Sequence, residues 1–393
     1  MKKLLLASAA TALLAGAAGA EEVKLGLHLG FTGPLESMAP NIAAGGEAAA
    51  KEVSDSGNFL DGSTVTASRS DTTCTDAAAS VAAAERLVAD GVKAMVGGQC
   101  SGETIATLER VGIPRGVMMI SPSATSPALS SIDDSGLFFR TAPSDARQGE
   151  VMAELAKAQG IESVAITYTN NDYGKGLADS FQAAFEAGGG TVTTSAAHDD
   201  GKADYSAEVA ALAAAGGDAL AVVGYVDQGG SGVTRGALDT GAFEKFIFPD
   251  GMIGDALVER FGTEIDGSIG INPAAEGDGR AKFEELAEAA GFDPSSPYSA
   301  EAYDAAALIL LSMQAAKSSD PAAAKEKVME VANAPGEPIL PGELAKGLEL
   351  LAAGTDIDYV GASSVELVEP GESAGSFRET TITDGALEVV GFH

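Results

Sequence analysis

From Val23 to Phe248 the sequence alternates short apolar runs with alanine-rich stretches of helical period, and this alternation restricts the fold more than any other feature. Strand-like runs are Val23–Leu29, Thr64–Ser70, Val92–Val96 and Val117–Ile120, with predicted helices over Ile42–Val53, Ala77–Ala89 and Thr104–Val111. A second series follows. It predicts helices over Ala146–Ala158, Lys175–Ala187, Tyr205–Ala215 and Val233–Asp239, and strands over Ser163–Tyr168, Thr191–Ala196, Ala219–Val223 and Lys245–Phe248. Strand and helix in turn, at this spacing, predict mainly parallel sheets flanked by helices, because a parallel pair needs a long crossover. Pro143 and Ser144 divide the series, so the expected fold is α/β with two doubly wound lobes.

Beyond Asn272-Pro273 the pattern turns helical, over Arg280–Ala290, Tyr298–Ala316, Pro321–Val331 and Leu344–Ala352. It finishes with strand-like Ser364–Val368, Phe377–Ile382 and Leu387–Phe392. These late segments lack obvious sheet partners among themselves, so the chain is expected to return to the first lobe and then the second. The expected division is 21–143 with about 272–365 in lobe 1, and 144–271 with about 366–393 in lobe 2. Several crossings between lobes make a hinge, and cleft closure is the expected motion.

Residues 1–20 have the layout of a secretory leader: Lys2-Lys3, an apolar stretch from Leu4 to Gly16, then Ala18-Gly19-Ala20 before Glu21. The apolar run is short for a membrane anchor and its exit flank is acidic. Export to the periplasm with cleavage after Ala20 is expected. The net charge of −33 argues against nucleic acid, whose phosphates demand basic surface. It suits a self-repelling, well-solvated surface. In an exported chain Cys74 and Cys100 pair by default, a link worth about 3.5 kcal/mol in the chain-entropy model; two buried free thiols are the alternative. Of the three histidines, His28, His198 and His393, none lies near a cysteine at ligand spacing, so no metal or cofactor is expected.

Residues 94–125 hold the candidate recognition chemistry. A strand runs into Gly97-Gly98-Gln99-Cys100-Ser101-Gly102, and the next ends in Ser121-Pro122-Ser123-Ala124-Thr125. Two hydroxyl-rich strand ends side by side, one opening a helix, suit a small anion such as a carboxylate. Ser101 reads equally well as a helix cap, and Ser123 and Thr125 as ordinary turn residues. In the second series, Tyr173 (within Asn170 to Gly176) and Tyr225 place aromatics at strand ends, where a ring and its hydroxyl suit a polar cleft wall. Asp250 ends another strand and, facing the hydroxyls, would hold an ammonium; as a lone turn acid it is also a plain turn former. Gly229 to Gly232 lacks phosphate-loop spacing and reads as a permissive turn. His28 reads as a packed residue. No Gly-x-Ser-x-Gly elbow or Cys/His pair is present, so an enzyme is not expected.

Read in order, these segments resemble the branched-chain amino-acid (Leu/Ile/Val) binding family of periplasmic substrate-binding proteins, which serve ABC transporters and have the type I fold. The marks are Gly30 to Pro34, the Asp71–Asp76 turn with Cys74, Gly97 to Ser101, Ile120 to Leu129, Phe139-Arg140-Thr141, Asp172 to Gly176 and Tyr303 to Ala306. The resemblance implies that Ser101, Ser123 and Thr125 hold a ligand carboxylate and help hold its amino group. It implies that Tyr173 and Tyr225 wall the cleft, that Asp250 takes the ammonium, and that Cys74 pairs with Cys100. It also implies an inner-membrane ABC permease as partner and a monomer in solution. Glu36-Ser37-Met38 and Gln99 depart from the aromatic and apolar residues the family places around its side-chain pocket. A Gln99 left unpaired there would cost about 1–3 kcal/mol beside an aliphatic ligand, which points toward a polar amino acid or another small carboxylate. The alternative role is a sensory module reporting the same ligand to a membrane receptor.

Overall fold

The computed structural model describes residues 20–393, so the secretory leader lies, except for Ala20, outside the described residues. The first sheet contains β1 (Glu22–Leu29), β2 (Thr64–Asp71), β3 (Ala94–Gly97), β4 (Met118–Ser121) and β5 (Phe138–Pro143). The second contains β6 (Ser163–Thr169), β7 (Thr191–His198), β8 (Ala219–Val223), β9 (Phe246–Phe248) and β10 (Ile269–Pro273). Each set of five is parallel and wound alike, β2-β1-β3-β4-β5 in one and β7-β6-β8-β9-β10 in the other. The winding reverses between β1 and β3, and again between β6 and β8. Open α/β sheets bind ligands at the carboxyl ends of strands flanking such a reversal.

The later strands are β11 (Glu337–Ile339), β12 (Ile357–Tyr359), β13 (Leu367–Val368), β14 (Glu372–Ser373), β15 (Phe377–Thr383) and β16 (Ala386–Phe392). β11 and β12 form a small parallel ribbon. β13 and β14 extend the first sheet beyond β5, whereas β15 and β16 extend the second beyond β10. The return to the second sheet therefore falls between Ser373 and Phe377 rather than near 366, because Leu367 and Ser373 bury themselves against the edge of the first. The chain crosses between sheets three times: after Pro143, after Pro273 and after Ser373.

Among the described residues five strands, β5, β10, β11, β12 and β14, have no counterpart in the periodicity. Phe138–Pro143 and Ile269–Pro273 are buried at every position, so neither alternates. The helix predicted over Thr104–Val111 begins earlier, at Ser101, and passes into a π turn at Leu108–Gly112. The predicted Pro321–Val331 helix is split by a 3₁₀ turn at Lys325–Lys327. Helix Ser299–Ala316 is apolar around its circumference and buried from Ser299 to Gln314, as a helix covered on all sides must be. It packs on helix Ala39–Ser56. Gly45 permits that approach, since a Cβ there would stand 2.0 Å from the Ser299 carbonyl oxygen. Among the described residues no helix is long and apolar enough to cross a membrane.

Candidate functional site

The loop after β3 is built from underneath. Glu103, in the first turn of helix Ser101–Thr107, accepts through Oε1 from the N–H groups of Gln99 (2.9 Å) and Cys100 (3.0 Å). Its other oxygen accepts from Ser80 Oγ at 3.1 Å. Burial outweighs these bonds and pushes the Glu103 carboxyl up to about 7. Gly98 is required by this arrangement, because a Cβ would lie 2.4 Å from a Glu103 carboxylate oxygen. Cys100 is bonded to Cys74, which ties the loop to the turn after β2. Below it His28 sits against Ser70 and Ser80, as a packed residue, its pKa lowered to about 4 by burial.

The turn after β4 is stitched onto this loop. Ser121 Oγ donates to the Gly98 carbonyl at 2.7 Å, and Ser123 Oγ to the Gln99 carbonyl at 3.0 Å. Ser101 Oγ accepts from Ser126 N at 3.1 Å. The Ser123 proton is thereby engaged inside the protein, while Thr125 Oγ1 is buried with no partner among the described residues. Arg140 clamps the turn, its Nη1 donating to the carbonyls of Ala124 (3.1 Å) and Ser126 (3.0 Å).

The second lobe contributes an acid surrounded by phenols. Tyr173 and Tyr225 stack with centroids 5.2 Å apart and planes 14° from parallel. Tyr173 donates its hydroxyl to Asp250 Oδ1 at 2.7 Å, and Gln148 Nε2 donates to the same oxygen at 3.1 Å. Tyr298, from the start of the central helix, donates to Asp250 Oδ2. Burial still raises the Asp250 carboxyl above its ordinary value, with these three bonds opposing.

A small, narrow cavity lies between the two halves. Of the residues the sequence nominated, Gln99, Cys100, Ser101 and Ser123 line it from one lobe and Tyr173, Tyr225 and Asp250 from the other. Thr125 is buried behind this lining. Leu35, Gly251 and Tyr298 also line the cavity and were not anticipated. Leu35 follows Gly33-Pro34, a turn whose position after the first strand could have pointed to it. Tyr298 carries no such signal, because its place depends on a left-handed backbone (φ 66°) at the head of a distant helix. Gln99 does not stand unpaired: its Oε1 accepts from Gly30 N at 2.8 Å and its Nε2 reaches the Leu35 carbonyl at 3.5 Å. At the rim Asp227 N donates to the Pro34 carbonyl (3.1 Å), Ser37 N to Asp227 Oδ2 (2.9 Å) and Ser126 Oγ to the Asp172 carbonyl (2.9 Å). The lobes are closed on one another.

A wider groove lies on lobe 2, beside Tyr205 and Arg235, but its charges are satisfied by one another as Lys202–Glu208, Arg235–Glu264 and Arg260–Asp227 pairs. At Gly229, where helix Gly229–Thr240 begins, Asp200 already occupies the N–H group at 3.0 Å, consistent with a structural turn. Among the described residues no cluster of candidate ligands could hold a metal ion.

Two like-wound lobes closed on a small cavity at facing sheet reversals define a bilobed solute-binding protein. The chain belongs to the periplasmic-binding-protein family, whose profile matches residues 22–342. It is 30% identical to a Leu/Ile/Val-binding protein homolog of Brucella melitensis, over 84% of this chain and 89% of that one. It is 28% identical to the leucine-, isoleucine-, valine-, threonine- and alanine-binding protein of Pseudomonas aeruginosa, over 85% and 88% of the two chains. Its fold is shared with a leucine-binding protein of Thermotoga maritima (TM-score 0.79, 23% identity, covering 94% and 98%). It is also shared with an R. palustris solute-binding protein solved with 4-hydroxybenzoate (TM-score 0.77, 19% identity, covering 95% and 97%).

Proposed function

We propose that this chain is the periplasmic solute-binding component of an ABC importer, capturing an amino acid or amino-acid-like small carboxylate by closing its two lobes. The observation that carries the reading is the cleft between the lobes, where hydroxyls from one lobe meet a phenol-ringed acid from the other. Ser101 in the cavity wall, and Thr125 buried behind it, are the hydroxyls offered to the ligand's polar head, with Ser123 holding the two turns in register. Because Gln99 is paired with Gly30 and Leu35, an aliphatic side chain beside it leaves no orphaned amide, and the argument for a polar ligand loses its ground. Leu35 and the Cys74–Cys100 bridge then form the apolar part of the pocket.

The ligand favours closure through contacts to both lobes that an open form cannot make. The closed, monomeric receptor, its leader removed after Ala20, would then dock on an inner-membrane permease and release the solute unchanged. Isothermal titration of the mature protein, refolded free of solute, tests this reading against the common amino acids, benzoate and 4-hydroxybenzoate. Saturable one-to-one binding of at least one amino acid or small carboxylate is expected. Absence of binding across the panel, or chemical turnover of a member, would refute it.

A further inference from the structure

We propose that Glu103 is a positioning residue of the binding site: its carboxyl holds the loop after β3 in shape from behind, and it takes up a proton by way of Ser80 and His28 when a carboxylate is captured on the loop's other face. The proposal rests on the solute-binding reading above and adds to it a regulation of affinity by pH.

The loop is clamped peptide by peptide. In the unit joining Gly98 to Gln99, the N–H donates to Glu103 Oε1 (2.9 Å) and the carbonyl accepts from Ser121 Oγ (2.7 Å). In the next unit, the Cys100 N–H donates to the same Glu103 oxygen (3.0 Å) and the Gln99 carbonyl accepts from Ser123 Oγ (3.0 Å). Two successive peptide planes held at both edges have little freedom to turn. They fix Gln99 and Cys100 in the cavity wall, with Ser101 following at the head of its helix. Glu103 itself is buried and stands outside the lining, so it acts on a solute only through these peptides.

Behind Glu103 runs a chain of polar groups that ends near solvent. With Oε1 occupied by two N–H groups, a proton settles on Oε2, which faces Ser80 Oγ at 3.1 Å. Ser80 Oγ lies 2.9 Å from His28 Nε2, and His28 Nδ1 lies 3.3 Å from the hydroxyl of half-buried Ser70. When Glu103 is ionised, His28 carries its proton on Nε2 and donates to Ser80, which donates to Glu103. When Glu103 is neutral the chain runs the other way: Glu103 donates to Ser80, Ser80 donates to Nε2, and the ring proton sits on Nδ1. Each group keeps a partner in both forms without displacing a heavy atom. In the transfer one proton from solvent bonds to Nδ1, the Nε2–H bond breaks to give its proton to Ser80, and the Ser80 O–H bond breaks to give its proton to Glu103.

Among the described residues no cation stands against Glu103. The titratable groups on the elements around it are His28 on β1, Asp71 at the end of β2, Asp76 capping helix Ala77–Ala89, and Asp172 opening the helix Asp172–Ala187 of the other lobe. Three are acids, and burial keeps His28 neutral at pH 7 by lowering its pKa to about 4. Arg86 and Arg110, the cations on the neighbouring helix and on the π turn, are exposed. Burial therefore outweighs the four hydrogen bonds from Cys100, Thr72, Ser80 and Gln99, and the carboxyl is pushed up to about 7. A solute carboxylate at Ser101 sets a second negative charge across the same loop, and a like charge raises the pKa further. Below pH 7 Glu103 is already neutral and affinity is full. Above it, capture must draw in a proton, and affinity falls.

The test uses the mature protein, refolded free of solute, with L-leucine as probe, or the tightest binder of the panel above where leucine binds less well. Glu103→Gln is a permanent copy of the neutral acid, its amide oxygen taking the two N–H groups and its amide nitrogen donating to Ser80. At pH 6 its affinity by calorimetry should lie within about twofold of wild type; by pH 8.5 wild type should bind about threefold or more weakly than the variant. Titrations at pH 8 in buffers of different ionisation enthalpy should show wild type taking up more protons on binding than Glu103→Gln. Glu103→Ala, which strands both N–H groups, should lose about tenfold or more in affinity at pH 6. Recovery by Gln then separates the holding of the loop from the charge. In solute-free wild type the ring-nitrogen NMR shifts of His28 should pass from the Nδ1–H to the Nε2–H tautomer between pH 6 and pH 8, and in Glu103→Gln they should stay at Nδ1–H. Thermal midpoints verify that each variant folds, and the Gln comparison decides the matter where Ala does not. A Glu103→Gln protein that follows wild type in affinity and proton count from pH 6 to pH 8.5, or a folded Glu103→Ala that binds as wild type does, would overturn the proposal and leave solute capture standing. An Nε2–H His28 in Glu103→Gln would overturn the proton path. Absence of binding across the panel would overturn both readings.

Discussion

Arg140 and Glu372, 232 positions apart, meet through Nη2 and Oε2 at 2.5 Å, with the guanidinium buried and the carboxylate 19% exposed. The pair links the last strand added to the first sheet to the clamp on the Ala124 and Ser126 carbonyls. Removing Glu372 leaves a buried cation short of its counter-charge. Glu372→Ala should therefore lose about 2–4 kcal/mol of stability in urea unfolding, the partial exposure of the carboxylate keeping the loss below that of a fully buried pair. Arg140→Met combined with Glu372→Leu should lose less than Glu372→Ala, because it leaves no orphaned charge.

Glu103 sets a pH dependence of definite sign. Its folded pKa of about 7 lies above the ordinary 4.5, so the folded chain holds this proton more tightly than the unfolded one. Between pH 4.5 and 7 the group's contribution to stability falls, by about 3 kcal/mol in all. Glu103→Gln should remove that decline, seen as a rising difference from wild type in urea midpoints over this range. His28 acts in the opposite direction. Its folded pKa of about 4 lies below 6.5, so the unfolded chain takes up its proton first and stability drops as pH falls from 6.5 to 4. His28→Asn should flatten that acid limb.

Cutting the Cys74–Cys100 bridge releases a loop spanning a sequence separation of 26. Cys74→Ser with Cys100→Ala should cost about 3.5 kcal/mol in the chain-entropy model. Cys100 also lines the cavity, so solute affinity should fall as well, by calorimetry. A thiol-reactive reagent should label native wild type at neither cysteine.

Tyr298 reaches Asp250 across the cleft from an element packed on the first lobe. Tyr298→Phe removes a charge-assisted hydrogen bond that exists only when the lobes meet, worth about 1.5–3 kcal/mol. Affinity should fall roughly tenfold or more, and small-angle scattering of the ligand-free variant should show a larger radius of gyration than wild type.

The alternation of Val23–Phe248 was enough to read two parallel sheets, because covered strands and amphipathic helices leave different periods. β5 and β10 escaped that reading since both their faces are buried, and β11, β12 and β14 because strands of two or three residues leave no period. At the site, Gln99 to Ser101, Ser123, Tyr173, Tyr225 and Asp250 were legible because each sits at the carboxyl end of a strand in parallel order. Tyr298, which lines the cavity, and Gln148, which donates to Asp250, were not. Tyr298 enters through tertiary folding from more than a hundred residues beyond Tyr173, and Gln148 looks like any polar helix residue. The pairing of Gln99 was illegible for a related reason, since its partners are backbone groups of Gly30 and Leu35 that no side-chain pattern records.

The chain's first passage between sheets, at Pro143 to Asp145, lies at the pivot of the molecule, and a pivot is the part of a lever that travels least. The bond from Asp145 N to the Thr125 carbonyl, 2.9 Å long, ties the chain at that passage to the turn after β4. The contacts of Ser37 with Asp227 and of Ser126 with Asp172 sit far out on the arms and are made only at the end of the stroke. If the lobes part about this passage, the outer contacts should break first on opening and latch last on closing.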